Sequence, residues 1–349
     1  MGMEAQGQIK NIGAIDESSA MIRLTALWAL SEAGLGGLLH FLRTPFTGLL
    51  VGSVAVVLIC MMAYVSEKPY KSIPKALVLV LIVKMTISPH SPIPAYMAVS
   101  FQGIMGALLF SVIPSFRVSC VLLGFLGLLE SAIQKLLTLT IIFGKSIWES
   151  IDLFVDFVLQ KMAWLDLGET ADGSFWLVIY YVSLYSVFGL IIGYCASKLP
   201  ALINQKLPDL EIPSLGLEPD VMVDGVSKRP WWKSNKIRYL LVVLMLIVLA
   251  FLLIPEARQV LNPLWIFARV ILVLMVWYLL VAPLLVRLFQ KYLDKKASEY
   301  RTEVKAALSL IPIFRKLVYA VWDQVSFLNG FARLKEFVIR IIAYALIYK

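Results

Sequence analysis

Apolar residues occupy this chain in long unbroken runs. They do not follow the two-residue alternation of a strand or the narrow stripe of a soluble amphipathic helix. A helix needs about 20 such residues to cross the hydrocarbon core of a bilayer. On that length the pattern predicts eight spans, at 21–42, 46–65, 76–88, 95–113, 118–143, 175–197, 237–254 and 264–289. The third is too short to cross alone. The Pro-rich segment SPHSPIP (88–94) is expected to complete it by re-entering at membrane depth, where irregular backbone is tolerated only around a protein-enclosed cavity. Two further stretches place apolar residues at three- and four-residue spacing. In 146–164 these are Ile147, Ile151, Phe154, Val155, Val158 and Met162; in the C-terminal tail they are Leu334, Phe337, Val338, Ile341 and Ile342. Such helices lie on a membrane surface or dock on a partner. The expected fold is all-α: a polytopic transmembrane helical bundle with amphipathic surface helices.

Charge then orients the spans. Lys68, Lys71 and Lys75 follow the second, and Arg117 precedes the fifth. Lys198, Lys206, Lys228, Arg229, Lys233 and Lys236 fall between the sixth and seventh, and RLFQKYLDKK follows the eighth. Cytoplasmic loops are enriched in Lys and Arg, so these ends are expected inside, with both termini. The opposite loops are poor in Lys and Arg, and the longest carries Glu149, Asp152, Asp156, Asp166, Glu169 and Asp172. The net charge of +9 therefore reads as topology signal and lipid-headgroup contact, not as a nucleic-acid surface. With 60% hydrophobic and 16% charged residues the chain lies outside the range of soluble domains. Three parts are expected: a six-span module at 1–203, a Pro-rich cytoplasmic connector at 204–235, and a two-span hairpin with basic amphipathic helices at 236–349. The expected location is the bacterial inner membrane.

Several spans carry groups that a simple anchor does not need. A charge near the middle of a membrane helix costs roughly 2.5–3.5 kcal/mol on insertion scales. Glu32, His40 and Arg43 lie in or just beyond the first span, Lys84 in the third, and His90 between the third and fourth. Tyr96 and Gln102 open the fourth, and Glu130 lies in the fifth. On the charge-based topology most of them fall in the outer half of the membrane. Either a carboxylate pairs with Lys84 (Glu32 or Glu130) and the cluster is structural, or these groups converge on a small polar or anionic ligand. In the second case Arg43, Lys84 and His90 supply positive charge or donors, Glu32 and Glu130 orient the cavity, and Tyr96 and Gln102 offer neutral hydrogen bonds.

No enzyme signature accompanies them. GKS at 144–146 lacks the upstream glycine of a phosphate loop, since Leu139 stands there. The three cysteines and two histidines have no metal-ligand or disulfide spacing, so no metal, cofactor or catalytic residue is expected.

Six spans with both termini inside, a short outward loop after the first, a Pro-rich loop between the third and fourth, and a long outer loop before the sixth form a recognisable arrangement. It resembles the substrate-binding S components of energy-coupling factor vitamin transporters. The resemblance covers about residues 20–203 and rests also on SEAGLGGLLHFLRTPFTGLLVG (31–52) and SPHSPIPAYMAVSFQGIMGALLF (88–110). It implies a membrane-embedded binder of a vitamin-like molecule that works with a transmembrane T component and two cytoplasmic ATPases and topples in the bilayer. It implies gating by loops at 42–47, 88–94 and within 145–173, and a small-residue partner contact at Ala29 and Ala33. S components end after the sixth span, so 236–349 departs from the pattern. That extension, with Arg333 and Lys335, is expected to dock partner subunits. The alternative is a non-transporting structural or channel-forming subunit of an envelope complex.

Overall fold

The computed structural model describes residues 15–36, 46–88, 91–161, 172–210 and 262–347. Every regular element among them is helical. Helix α1 (Glu17–Leu30) starts where Asp16 accepts hydrogen bonds from the Ser19 backbone N–H (2.9 Å) and from the Ser18 and Ser19 hydroxyls. It continues into a π-helical turn, Ser31–Leu35. Helices α2 (Thr47–Val65), α3 (Pro69–Ile87), α4 (Ile93–Val112), α5 (Phe116–Phe143), α6 (Ser146–Lys161) and α7 (Gly173–Lys206) follow. After them come α8 (Asn262–Val276), a second π turn, α9 (Ala282–Glu299), α10 (Arg301–Gln324) and α11 (Gly330–Ile347). Four of these, α2, α4, α5 and α7, are long and apolar enough to cross a membrane. The expected span 237–254 and most of the connector 204–235 lie outside the described residues.

The third expected span differs in its bounds: it lies in a 19-residue helix, α3, about 28 Å long, which is not among the four helices long and apolar enough to cross a membrane. Pro69 and Pro74 look like breakers in the sequence, yet Pro69 occupies the first helical position, where a missing N–H costs nothing. Pro74 forfeits only the bond to the Tyr70 carbonyl. Likewise α4 begins at Ile93, directly after an extended Pro92.

Two compact units emerge. The first combines residues up to 131 with 185–220 and 292–349; the second combines 132–184 with 221–291. In the first, α2 is buried on nearly every side: Ala55, Val56, Leu58, Ile59, Cys60, Met61 and Met62 have almost no exposed surface. That suits a helix apolar all round. Helices α1, α3 and α4 pack about it and against one another. Part of α5 crosses α7 through glycines. A Cβ at Gly124 would collide with the Gly189 carbonyl, and one at Gly193 with the Cys120 carbonyl, so only glycine permits this approach.

The basic C-terminal helices belong to the same unit. Ala307, Ile311, Phe314, Leu317 and Val321 of α10 are buried, as are Ile339 and 341–347 of α11, and both helices pack on α1. Polar ties fix them at one end of the bundle. Lys75 of α3 reaches Glu303 at 2.8 Å, Arg23 of α1 donates to the Leu346 carbonyl at 2.7 Å, and Lys206 at the end of α7 pairs with Glu336. The amphipathic faces that the sequence offers to a partner or a membrane surface are thus largely covered by the chain itself.

In the second unit Gly144, at φ 69°, ends α5 in the left-handed conformation and turns the chain into α6. Asp152 accepts from the Ser174 N–H (2.6 Å) and hydroxyl (3.0 Å), tying α6 to the start of α7. Leu153, Phe154 and Phe157 remain exposed on α6.

Candidate functional site

Lys84 sits in the last turn of α3, and Glu32 in the π turn that extends α1. A π turn holds one more residue than an α turn, so it rotates the residues after it, and such insertions recur at functional sites. Lys84 Nζ donates to Glu32 Oε2 at 2.7 Å, and each side chain is only 3% exposed. The ammonium also reaches the Ala95 carbonyl at 3.4 Å and stands 5.5 Å from the centre of the Tyr96 ring. The fully buried indole of Trp28, one turn before Glu32, lies beside the same carboxylate. Tyr96 donates its hydroxyl to the Ser88 carbonyl at 3.5 Å, and Ser91 donates to the Ser88 hydroxyl at 3.0 Å. The α3–α4 junction thus places hydroxyls and backbone carbonyls next to a buried ion pair.

Of the two pairings open from the sequence, the Glu32–Lys84 pair forms. Glu130 takes no part in it: its Oε2 is buried without a hydrogen-bond partner, on α5. Gln102, also buried, lies about two turns along α4 from Ala95. It packs between glycines of two other helices: a Cβ at Gly52 of α2 would stand 2.9 Å from its Nε2, and one at Gly127 of α5 would stand 3.3 Å from its Cγ. The expected cluster therefore divides into an ion-pair centre on α1, α3 and α4 and an amide niche between α2, α4 and α5. His40, Arg43 and His90 lie outside the described residues. Among those residues no group of three or more His, Cys, Asp or Glu could hold a metal.

Of the residues expected to contact partners, Ala29 and Ala33 are buried within the chain. Arg333 is committed internally: its guanidinium stacks on Trp322 at 4.1 Å and donates to the Trp322 carbonyl at 3.1 Å. Lys335 alone of the four is freely exposed.

Sequence reasoning missed a second polar region. At the other end of the α1–α3 seam a cleft of about 460 Å³ opens between Asp16, Glu17, Ser72, Lys75 and Glu303, over Met21, Ala76 and Leu79. Its acids are all engaged. Glu17 accepts from Ser66 (2.7 Å) and Ser72, and Glu303 from Lys75, which holds the Glu303 carboxyl below its ordinary range. Hydrogen bonds from Ser18 and Ser19 bring Asp16 down to about 2. Their sequence signal was faint, because the groups come from segments far apart in the chain.

No family model, curated protein or solved structure matches this chain.

Proposed function

We propose that this chain is the substrate-capture subunit of an energy-coupled uptake system in a bacterial inner membrane, with both termini cytoplasmic and about eight spans. The Glu32–Lys84 pair is the observation that carries this proposal. Removing two charges from water costs several kcal/mol per ion, so a pair that only packed helices together is replaceable by apolar residues. As part of a site it has a use. An incoming carboxylate or phosphate displaces Glu32 from Lys84, and the ammonium is never left alone. Ser88, Ser91 and Tyr96 then supply hydrogen bonds to the ligand. The ligand class is a small, polar, vitamin-like anion. Coupling to ATP hydrolysis requires other subunits.

The cationic belt supports the orientation. Arg117 and Lys198 flank the Tyr194 ring at 4.9 and 4.4 Å, an aromatic–cation arrangement typical of a headgroup boundary. It occupies the end of α7 nearest Lys206, the end assigned to the cytoplasm.

A second reading is a structural subunit of an envelope complex. It is favoured by the mutual satisfaction of Glu32 and Lys84 and by the internal burial of Ala29 and Ala33. One experiment separates the two. The purified full-length protein is examined by native mass spectrometry for a bound small molecule, and its melting temperature is scanned against small carboxylates and phosphates. Capture requires a ligand-dependent rise of RT ln(1 + [L]/Kd) in stability that vanishes in Glu32→Gln/Lys84→Met. A protein that responds to none of these and co-purifies with stoichiometric protein partners is a scaffold.

A further inference from the structure

The α10–α11 hairpin buries its apolar faces, yet its tip presents aromatic residues to solvent. Tyr319 and Trp322 are exposed on α10, and Phe327, Phe331 and Leu334 at the turn and the start of α11; Phe327 and Phe331 are 70% and 72% exposed. The tip is held in shape. Gly330 turns the chain at φ 56°, Arg333 stacks on Trp322, and Phe337 meets the same indole edge-on at 5.3 Å. Between Arg315 and Lys335 four cations (Arg315, Lys316, Arg333, Lys335) face one acid, Asp323. Lys75 of α3, Arg23 of α1 and Lys206 of α7 tie the hairpin to the bundle.

From these observations we infer that the tip, Trp322 to Lys335, is a membrane anchor that seats in the headgroup layer of the cytoplasmic leaflet and prefers anionic lipids. Exposed aromatic rings that keep an amphipathic edge are stable at that depth, and cations beside them match phosphate and carboxylate headgroups. A water-facing tip would leave four large apolar side chains exposed together, which monomeric surfaces avoid. The inference rests on the membrane reading but not on ligand capture.

The test uses the full-length protein with Cys60, Cys120 and Cys195 replaced by Ala. A single cysteine at Asn329, labelled with an environment-sensitive fluorophore, reports the tip; the same label at exposed Ser309 is the control. The protein is reconstituted into vesicles of phosphatidylcholine alone or with phosphatidylglycerol. A seated tip gives blue-shifted emission at 329, stronger quenching by nitroxides near the headgroup than by nitroxides at chain ends, and deeper seating with the anionic lipid. Phe327→Ser/Phe331→Ser abolishes the shift, and Arg333→Gln/Lys335→Gln removes the preference for anionic lipid. Because both phenylalanines are solvent-facing, the first variant keeps its thermal midpoint. Water-like emission at 329 in every vesicle overturns the inference and assigns the tip to a protein partner. A protein that does not reconstitute at all refutes the membrane reading instead, so the two failures are distinguishable.

Discussion

Replacing Lys84 with methionine keeps most of the side-chain length and removes the charge. The buried Glu32 carboxylate then loses its cation at 2.7 Å, with both groups 3% exposed. At an effective dielectric constant of 20, two unit charges at that distance attract by about 6 kcal/mol. Part of that attraction offsets the desolvation of the lysine, which methionine no longer requires. Breaking one side of a buried pair therefore costs about 3–5 kcal/mol, and Glu32→Gln alone should cost a similar amount for the ammonium it strands. Glu32→Gln/Lys84→Met removes both charges and should recover most of the loss, giving a coupling energy of about 5 kcal/mol or more. Reversible unfolding of the purified protein in mixed detergent, followed by circular dichroism, measures all four corners of this cycle. A Lys84→Met loss below about 1 kcal/mol, or a double variant as unstable as the sum of the singles, would refute the paired site.

Other predictions follow from the packing and the caps. Gly124→Leu and Gly189→Leu should each destabilise by about 1–3 kcal/mol or more, since each Cβ meets backbone of the facing helix. Gly34→Ala, whose Cβ would meet only Leu30 at an ordinary 3.6 Å, should shift the melting temperature little. Cys60 of α2 and Cys120 of α5 lie side by side and should cross-link under copper–phenanthroline, so that Cys195 is the one maleimide-reactive thiol once the oxidised protein is denatured; three reactive thiols in that denatured sample would contradict the α2–α5 packing. Asp16 has its carboxyl lowered from 3.8 to about 2, so its cap is intact above about pH 4 and is lost as pH falls through about 2. The protection factor of the Ser19 amide should fall over that window in the native protein and stay constant in Asp16→Asn.

The site was only partly legible. Lys84 and Glu32 stand out because a charge in an apolar run is rare, and that rarity survives any arrangement of the helices. Which carboxylate meets Lys84 was not legible, since helix rotation decides it, and the π turn that rotates Glu32 has no marker in SEAGL. Gly124, Gly189 and Gly193 passed unremarked because small-residue pairs are frequent in membrane helices; only the crossing shows that these three are in contact. The tail was read as a surface for others because its periodicity states that a face is buried, not what buries it.

Length and apolarity of the runs determined by themselves that the chain is helical and suited to a bilayer, because unsatisfied backbone groups leave no other secondary structure for such segments in hydrocarbon. The order of charges along the chain supplied an expectation of which ends share a side. Tertiary structure decided the rest: that Glu32 and not Glu130 meets Lys84, and that the C-terminal helices fold back onto α1. Each of those depends on contacts between residues tens to hundreds of positions apart, and local sequence pattern contains no term for them.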